Sequence, residues 1–407
     1  MPLLESLAIR GLLSFGWQPT ELKLGAMNLI IGPNGSGKSN LLDILHLLRA
    51  LPHNVQDALR ERGGSMAWLH KGAGGNGLAM VDVVLDWEDN DFAPVFYRTE
   101  LRMFGEALTI QAEQLRTRDP VAELDNTPML LAIRAGAESA AKFTLQTGES
   151  RTAVPKSEEG RPQQMPSRFY WERVRSLASA SILSQWSHQN IVGKVAGDLL
   201  RIRIYTPFPF GPGAPARRPQ SADQPNDFLD PTGQNLGLVL ARIKQTPGTW
   251  KSLMERFRSV YEAARDIDIF TEGGTVQIIL DEGYRTPASR LSDGTLRWLF
   301  LTTLLLDPQP PPVIAIEEPE LGLHPDLLPR LADLLKDAAL RTQLIVTTHS
   351  PELVSAFSDR PEDVVVCERY GGSTEFRRLD AEPLKHWLES YSLGDAWRAG
   401  EIGGNRF

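Results

Sequence analysis

MNLIIGPNGSGKSN, residues Met27–Asn40, is the stretch on which the fold turns. Met27–Ile31 is a short apolar run of the kind a buried strand makes. It breaks at Gly32, and Gly32, Pro33, Asn34, Gly35, Ser36, Gly37, Lys38 and Ser39 fill every position of G-x-x-x-x-G-K-[ST]. A helix-permissive apolar segment, Leu41–Leu45, follows. The chemistry needs these residue types. Nucleotide phosphates carry several negative charges, and backbone N–H groups at the mouth of a helix can cradle them. Glycines let the backbone approach closely and take positive φ. The cradle itself is Asn34, Gly35, Ser36, Gly37, Lys38, Ser39 and Asn40; Lys38 would reach the β/γ-phosphates and Ser39 would offer its hydroxyl to Mg²⁺. An ordinary glycine-rich turn would match by chance at a few positions; a strand before, a helix after and a complete motif read as a nucleotide-binding P-loop.

At 407 residues the chain can bury a large core, and 42% hydrophobic with 23% charged residues exclude disorder throughout. A net charge of −8 argues against a dedicated basic nucleic-acid binder while leaving room for a local basic patch. The single cysteine, Cys367, rules out an intrachain disulfide and a cysteine-rich zinc site. It lies in the apolar run Val364–Cys367, where it reads as a small buried hydrophobe. Glu5 and Arg10 interrupt the stretch a signal peptide would keep apolar, and no segment has the apolar length of a membrane span. The expected location is the cytoplasm, with no membrane partner.

Leu4–Arg10 alternates apolar and polar as an edge strand does, and His53–Arg62 predicts a short helix stopped at Gly63-Gly64. Leu78–Trp87, Val95–Phe104 and Ala107–Gln111 predict antiparallel strands. Lys142–Gln146 is a candidate strand, Thr147–Ser167 a mobile loop, and Arg168–Leu200 has helical texture. Pro207–Pro231 holds seven prolines, with Arg217 and Arg218 among them, and reads as a long surface loop. Gly233–Lys244 and Trp250–Ala264 predict amphipathic helices, and Thr275–Leu280 a strand. The last quarter restores an α/β rhythm: helix Leu296–Leu306, strand Val313–Ile316, helix Asp326–Ala339, strand Gln343–Thr348, helix Pro351–Phe357 and strand Val364–Cys367. That alternation argues for a parallel sheet covered on both faces.

Three further motifs gain meaning beside the P-loop. Val313–Ile316 ends in Glu317 and Glu318, and a strand entering a parallel sheet delivers its last side chains to the carboxyl edge. Glu317 would then complete the Mg²⁺ shell and Glu318 would polarise the attacking water. Ser292 and Gly294, in LSDGT, open a helix whose N-terminus suits an anion; plain capping by Ser292 or Asp293 is the simpler account of that motif alone. His349, after the strand Gln343–Thr348, is a candidate sensor of the γ-phosphate on the same sheet edge.

GPNGSGKSN, LSDGT, IAIEEPELGLHP and TTHSPEL occur in the order used by ABC-type ATPases, and the chain resembles the branch containing RecF, SMC and OLD-type ATPase domains. The shared motifs cover roughly residues 1–50 and 290–370. The resemblance implies an α/β fold: a P-loop ABC-type ATPase head whose mostly parallel sheet carries helices on both faces, plus an antiparallel β lobe and a helical insert. It implies an N-terminal ATPase lobe at residues 1–115, an insert lobe at 116–290 and a C-terminal ATPase lobe at 291–407. Carried over by residue, Gly32–Ser39 matches Walker A, and Ile314–Glu318 matches Walker B with Glu318 as catalytic glutamate. Ser292 to Gly294 matches the signature, Glu320–His324 the D-loop region, and His349 the switch histidine. The implied ligands are ATP and Mg²⁺, and the implied assembly is a head-to-tail homodimer in which each signature closes over the partner's ATP. Three features depart from the usual pattern. Glu317 stands where Walker B normally has aspartate, the signature reads LSDGT rather than LSGGQ, and only Gln111 and Gln114 offer themselves as the glutamine loop.

The stretch between Lys38 and Ser292 is far longer than an ABC transporter subunit carries, and it lacks the heptads of an SMC coiled coil. Too few residues follow His349 for a Toprim nuclease domain. The leading expectation is an ATPase that dimerises on ATP and controls a separately encoded effector, specifically a nuclease in defence against phage or plasmids. The alternative is a RecF-like repair ATPase that clamps duplex DNA, with Arg173, Arg175, Arg201, Arg203, Arg217 and Arg218 as candidate phosphate contacts. A nucleotide-gated scaffold with negligible turnover is a third possibility, opposed by Glu318 and His349.

Overall fold

The computed structural model describes residues 3–72, 77–86, 94–121, 127–135, 138–144, 169–175, 181–184, 191–209 and 211–404, with backbone alone between 117 and 175. The chain divides into two compact units, each assembled from separated segments. The first comprises Met1–Gly25, Asn34–Ile202 and Cys367–Arg377; the second comprises Ala26–Pro33, Arg203–Val366 and Arg378–Phe407.

The first unit is built on an eight-stranded antiparallel sheet in the order Thr20–Lys23, Leu4–Arg10, Leu78–Leu85, Val95–Phe104, Ala107–Val121, Thr127–Ala135, Glu138–Thr144, Phe169–Arg175. Alternation makes these strands two-faced: Val95, Tyr97, Thr99 and Leu101 are buried while the residues between them are not. The helices Lys38–Ala50 and Val55–Glu61 belong to this unit, and Asn54 caps the second by accepting from Gln56 N. Ala107–Gln111 proves to be the start of a strand that continues to Val121. The expected helical texture of Arg168–Leu200 is corrected: Phe169–Arg175 is a strand, and only Ile191–Leu200 is an α-helix among the described residues. FYWERVR is dense in aromatic and β-branched residues, a strand composition that outweighs its local helical periodicity. The loop Thr147–Ser167, along with Leu145, Gln146 and Trp87, lies outside the described residues.

The second unit carries the parallel sheet. Arg203–Tyr205, Val313–Glu317, Gln343–Thr347, Met27–Ile31 and the first residues of Val364–Tyr370 lie side by side in parallel register. Met27–Ile31 and Gln343–Thr347 are buried along their whole length, as strands covered on both faces must be. The helix Asp293–Leu305 packs into this unit's core and is buried from Thr295 to Leu305, so it shows no polar face. Leu328–Ala338 is amphipathic instead, burying Leu328, Leu331, Ala332, Leu334, Leu335 and Ala338. A small antiparallel sheet is built on Thr275–Asp281, expected from sequence as Thr275–Leu280, and adds Asp266–Glu272, Gln220–Ser221 and Arg285–Pro287. Pro207–Pro231 is corrected from a surface loop to a packed segment: Phe208, Ala214, Ala216, Gln220 and Leu229 are buried in it. Among its described residues regular structure is limited to the short turn Pro215–Arg217 and the strand Gln220–Ser221, yet these side chains are buried, and Asn235 satisfies part of its backbone by donating to Pro225 O and Phe228 O at 2.8 and 2.9 Å.

Candidate nucleotide site

Within the second unit, three neighbouring parallel strands end together. Glu317 pairs in register with Thr347, Thr347 with Ile30, and Ile31 with Val366. Their carboxyl edge therefore presents Gly32–Pro33, Glu317–Glu318 and Thr348–His349 in adjacent rows, the position where open α/β sheets bind ligands. His349 Nε2 stands 3.6 Å from Glu318 Oε1, with both side chains roughly one-third exposed. Glu318 has φ 45°, the left-handed region that non-glycine residues seldom occupy. Its amide donates to Thr347 O at 3.0 Å, which ties the turn to the next strand. A residue held so is aimed by its surroundings rather than by its own preference.

Glu320 organises the next layer. Its Oε1 accepts from Thr348 Oγ1 at 2.5 Å and from His349 N at 3.0 Å, so one carboxylate fixes the turn that carries His349. Ser350 N donates to Thr348 Oγ1 at 3.0 Å, extending the same network. Facing it is Arg297, 1% exposed, whose guanidinium nitrogens have no hydrogen-bond partner among the described residues. Burial pushes its pKa down to about 10 against the pull of Glu320, so it stays charged at neutral pH. Its Cζ lies 5.8 and 5.9 Å from the Phe208 and Phe300 ring centroids, at the outer limit of a cation–π contact. A buried cation with idle donors costs stability, and Arg297→Met should therefore raise the melting temperature by a few degrees, a gain of about 1 kcal/mol or more. Differential scanning fluorimetry checks this; a fall in melting temperature would show that the guanidinium is used.

Ser292 caps the helix Asp293–Leu305: its Oγ accepts from Thr295 N at 3.1 Å. The simple capping account is thus satisfied, but it leaves the amides of Asp293 and Gly294 unaddressed by Ser292. Gly294 is tight: a Cβ there would stand 3.2 Å from Gly322 O. The loop just before the helix is gripped by Arg217, which donates to Leu291 O and to Asp293 Oδ1, both at 2.5 Å. Arg217 is thereby committed inside the protein and withdrawn from the arginines considered for DNA. The side chains of Arg173 and Arg175, from the same group, lie outside the described residues.

The rest of the P-loop lies in the first unit. Gly35 and Gly37 take φ 76° and 119°, and Gly37 is the N-cap of Lys38–Ala50. A Cβ on Gly37 would collide with Thr374 Oγ1, so glycine is required there by space as well as by φ. Thr374 Oγ1 donates to Ser36 O at 2.6 Å and to Ser14 Oγ at 2.7 Å, and Asn40 Nδ2 donates to the same Ser14 Oγ at 2.7 Å. Ser14 and Thr374 therefore brace the loop, a role no local pattern announces. Lys38 is 5% exposed at the first position of the helix, and Ser39 follows it. Gly35 and Gly37, separated by Ser36, both take positive φ ahead of the helix N-terminus, a backbone that can turn neighbouring N–H groups toward one anion. Gln111 and Gln114 lie within the strand Ala107–Val121 rather than in a loop after it, which corrects their reading as a glutamine loop. Cys367 is buried, as expected, and burial pushes its thiol up to about 11.

Comparison with known proteins agrees with this architecture. Among solved structures, the chain is similar to an Smc head bound to the C-winged-helix domain of ScpA, at 14% identity and TM-score 0.52, covering 94% of this chain and 99% of that one. It is also similar to the Smc head domain with an extended coiled coil bound to the C-terminal domain of ScpA, derived from Pyrococcus furiosus, at 12% identity and TM-score 0.51, covering 96% and 99%. At these identities the likeness is one of fold. No curated protein matches. The family model described as "AAA domain, putative AbiEii toxin, Type IV TA system" matches residues 27–103 and 181–355, more than half of the chain. With the P-loop strand Met27–Ile31, the helix Asp293–Leu305 and the paired glutamates Glu317 and Glu318 in this order, the chain belongs to that family.

Proposed function

We propose that this protein binds and hydrolyses ATP, closes into a homodimer around two ATP molecules, and uses that cycle to control a separately encoded effector. The observation that carries the catalytic part is the approach of His349 Nε2 to Glu318 Oε1, 3.6 Å, at the ends of the two strands that come next to the P-loop strand on one side. In this reading Lys38 and the amides of Asn34 to Ser39 bind and orient the phosphates. By the resemblance of their motifs, Ser39 and Glu317 would hold Mg²⁺, which would supply positive charge to the phosphates. Glu318 accepts a proton from the attacking water, and His349 fixes the carboxylate and donates toward the γ-phosphate. Ser292 and Gly294 meet the γ-phosphate held by a second copy. The type IV toxin–antitoxin description of the family supports a separate partner, and a nuclease used against phage or plasmids is the version we favour.

The test is ATP turnover by the purified chain with and without duplex DNA over a salt series. Slow turnover indifferent to DNA is the expected result. Stimulation by DNA that fades with salt would replace effector control with a DNA clamp. Absence of turnover with ATP bound would reduce the chain to a nucleotide-gated scaffold.

A further inference from the structure

The signature loop contains a charge that ought to oppose its proposed task. Asp293 is the first residue of the helix Asp293–Leu305, directly between Ser292 and Gly294. An aspartate in a first helical turn suits the helix dipole, but it competes with any anion for the same positive end. Its side chain is 42% exposed, so an incoming triphosphate would meet the carboxylate. Yet the loop is built around this acid. Asp293 Oδ1 accepts from Arg217 Nη2 at 2.5 Å and from Gly211 N at 3.1 Å. The other terminal nitrogen of Arg217 holds the backbone: Nη1 reaches Leu291 O at 2.5 Å, Ser289 O at 3.3 Å and Ala288 O at 3.5 Å. The Arg217 side chain is 9% exposed and sits on the short turn Pro215–Arg217 of the proline-rich segment. The hydrogen bonds from Arg217 and Gly211 hold the Asp293 carboxyl below its ordinary range, so the loop carries this negative charge beside Ser292 and Gly294.

We infer that Arg217 is a positioning residue for ATP-dependent closure: it neutralises Asp293, so that an acidic signature loop can accept the triphosphate of a second copy. This inference rests on the proposed role of Ser292 and Gly294. It assigns the proline-rich segment Pro207–Pro231 a purpose, namely to supply from a distance the cation that LSDGT requires and a glycine at position 293 would not.

The test is a double-mutant cycle of Arg217→Ala and Asp293→Gly, read as KM and kcat for ATP and as ATP-dependent dimerisation by sedimentation in a Glu318→Gln background. Arg217→Ala should raise KM and weaken dimerisation roughly tenfold, the scale of a partly buried charge at a helix end, and the loss should shrink at high salt. Once the acid is removed the arginine has nothing to neutralise, so the double variant should match Asp293→Gly alone. An Arg217→Ala defect that Asp293→Gly does not relieve, accompanied by a lower melting temperature, would show that Arg217 only holds the loop and would overturn the inference. Wild-type behaviour of Arg217→Ala would overturn it as well. Failure of the wild-type chain to turn over ATP, and of its Glu318→Gln variant to dimerise with it, would instead overturn the underlying function, so the two failures are distinguishable.

Discussion

Lys38→Ala is expected to lower ATP affinity, and with it turnover, by at least about 100-fold. Lys38 is the first residue of the helix Lys38–Ala50, 5% exposed, with Gly37 as its N-cap. A helix N-terminus supplies only about half an elementary charge, and its N–H groups alone bind phosphate weakly against water. The lysine supplies the full charge within a largely dry site, where its attraction is least screened. Because its stem is buried, Lys38→Met is the companion variant: it keeps the packing and removes only the ammonium. Both should lose ATP binding in titration calorimetry, and Lys38→Met should retain the wild-type melting temperature without nucleotide. Tight ATP binding by Lys38→Met would remove the phosphate role from Lys38.

Glu318→Gln should bind ATP normally, lose hydrolysis by roughly 10²- to 10⁴-fold and accumulate as a closed dimer. The substitution preserves shape and removes the basic oxygen, which isolates the chemical step. The left-handed backbone at Glu318, φ 45°, matters to the design of the experiment: an alanine or glycine there would change both chemistry and backbone cost. Glutamine keeps the cost and changes only the chemistry. His349→Ala should give a milder loss, since its ring lies 3.6 Å from the Glu318 carboxylate and supports that base without replacing it. Single-turnover hydrolysis and size-exclusion chromatography with ATP read these outcomes. Normal hydrolysis by Glu318→Gln would require another general base.

Much of the site is local, and local features are legible. The P-loop is a contiguous run, and the spacing of its glycines is itself the chemistry. The strands Val313–Glu317 and Gln343–Thr347 are continuous apolar runs ending in polar residues, and their ends fall within one residue of where the sequence puts them. Sequence and structure part where composition and periodicity disagree. Phe169–Arg175 lies in a stretch of helical texture that hides its strand, and Asp266–Glu272, with its charged alternate residues, carries too little apolar signal to announce one. Proline content misleads for the opposite reason: it limits regular hydrogen bonding, which says nothing about burial, and Phe208 and Leu229 are in the core.

By itself the sequence determined that a parallel α/β sheet would carry a P-loop, two terminal glutamates and a histidine on its strand ends, because strand, turn and helix-start signals act over a few residues. Only the tertiary structure decided what supports them. Ser14 and Thr374 brace the loop containing Ser36, Glu320 holds the turn of His349, and Arg217 answers the charge of Asp293 from a segment that reads locally as solvent-exposed linker. Those pairings join residues far apart in the chain, and their partners are chosen by strand order and close packing. Neither is encoded in the period of any single element.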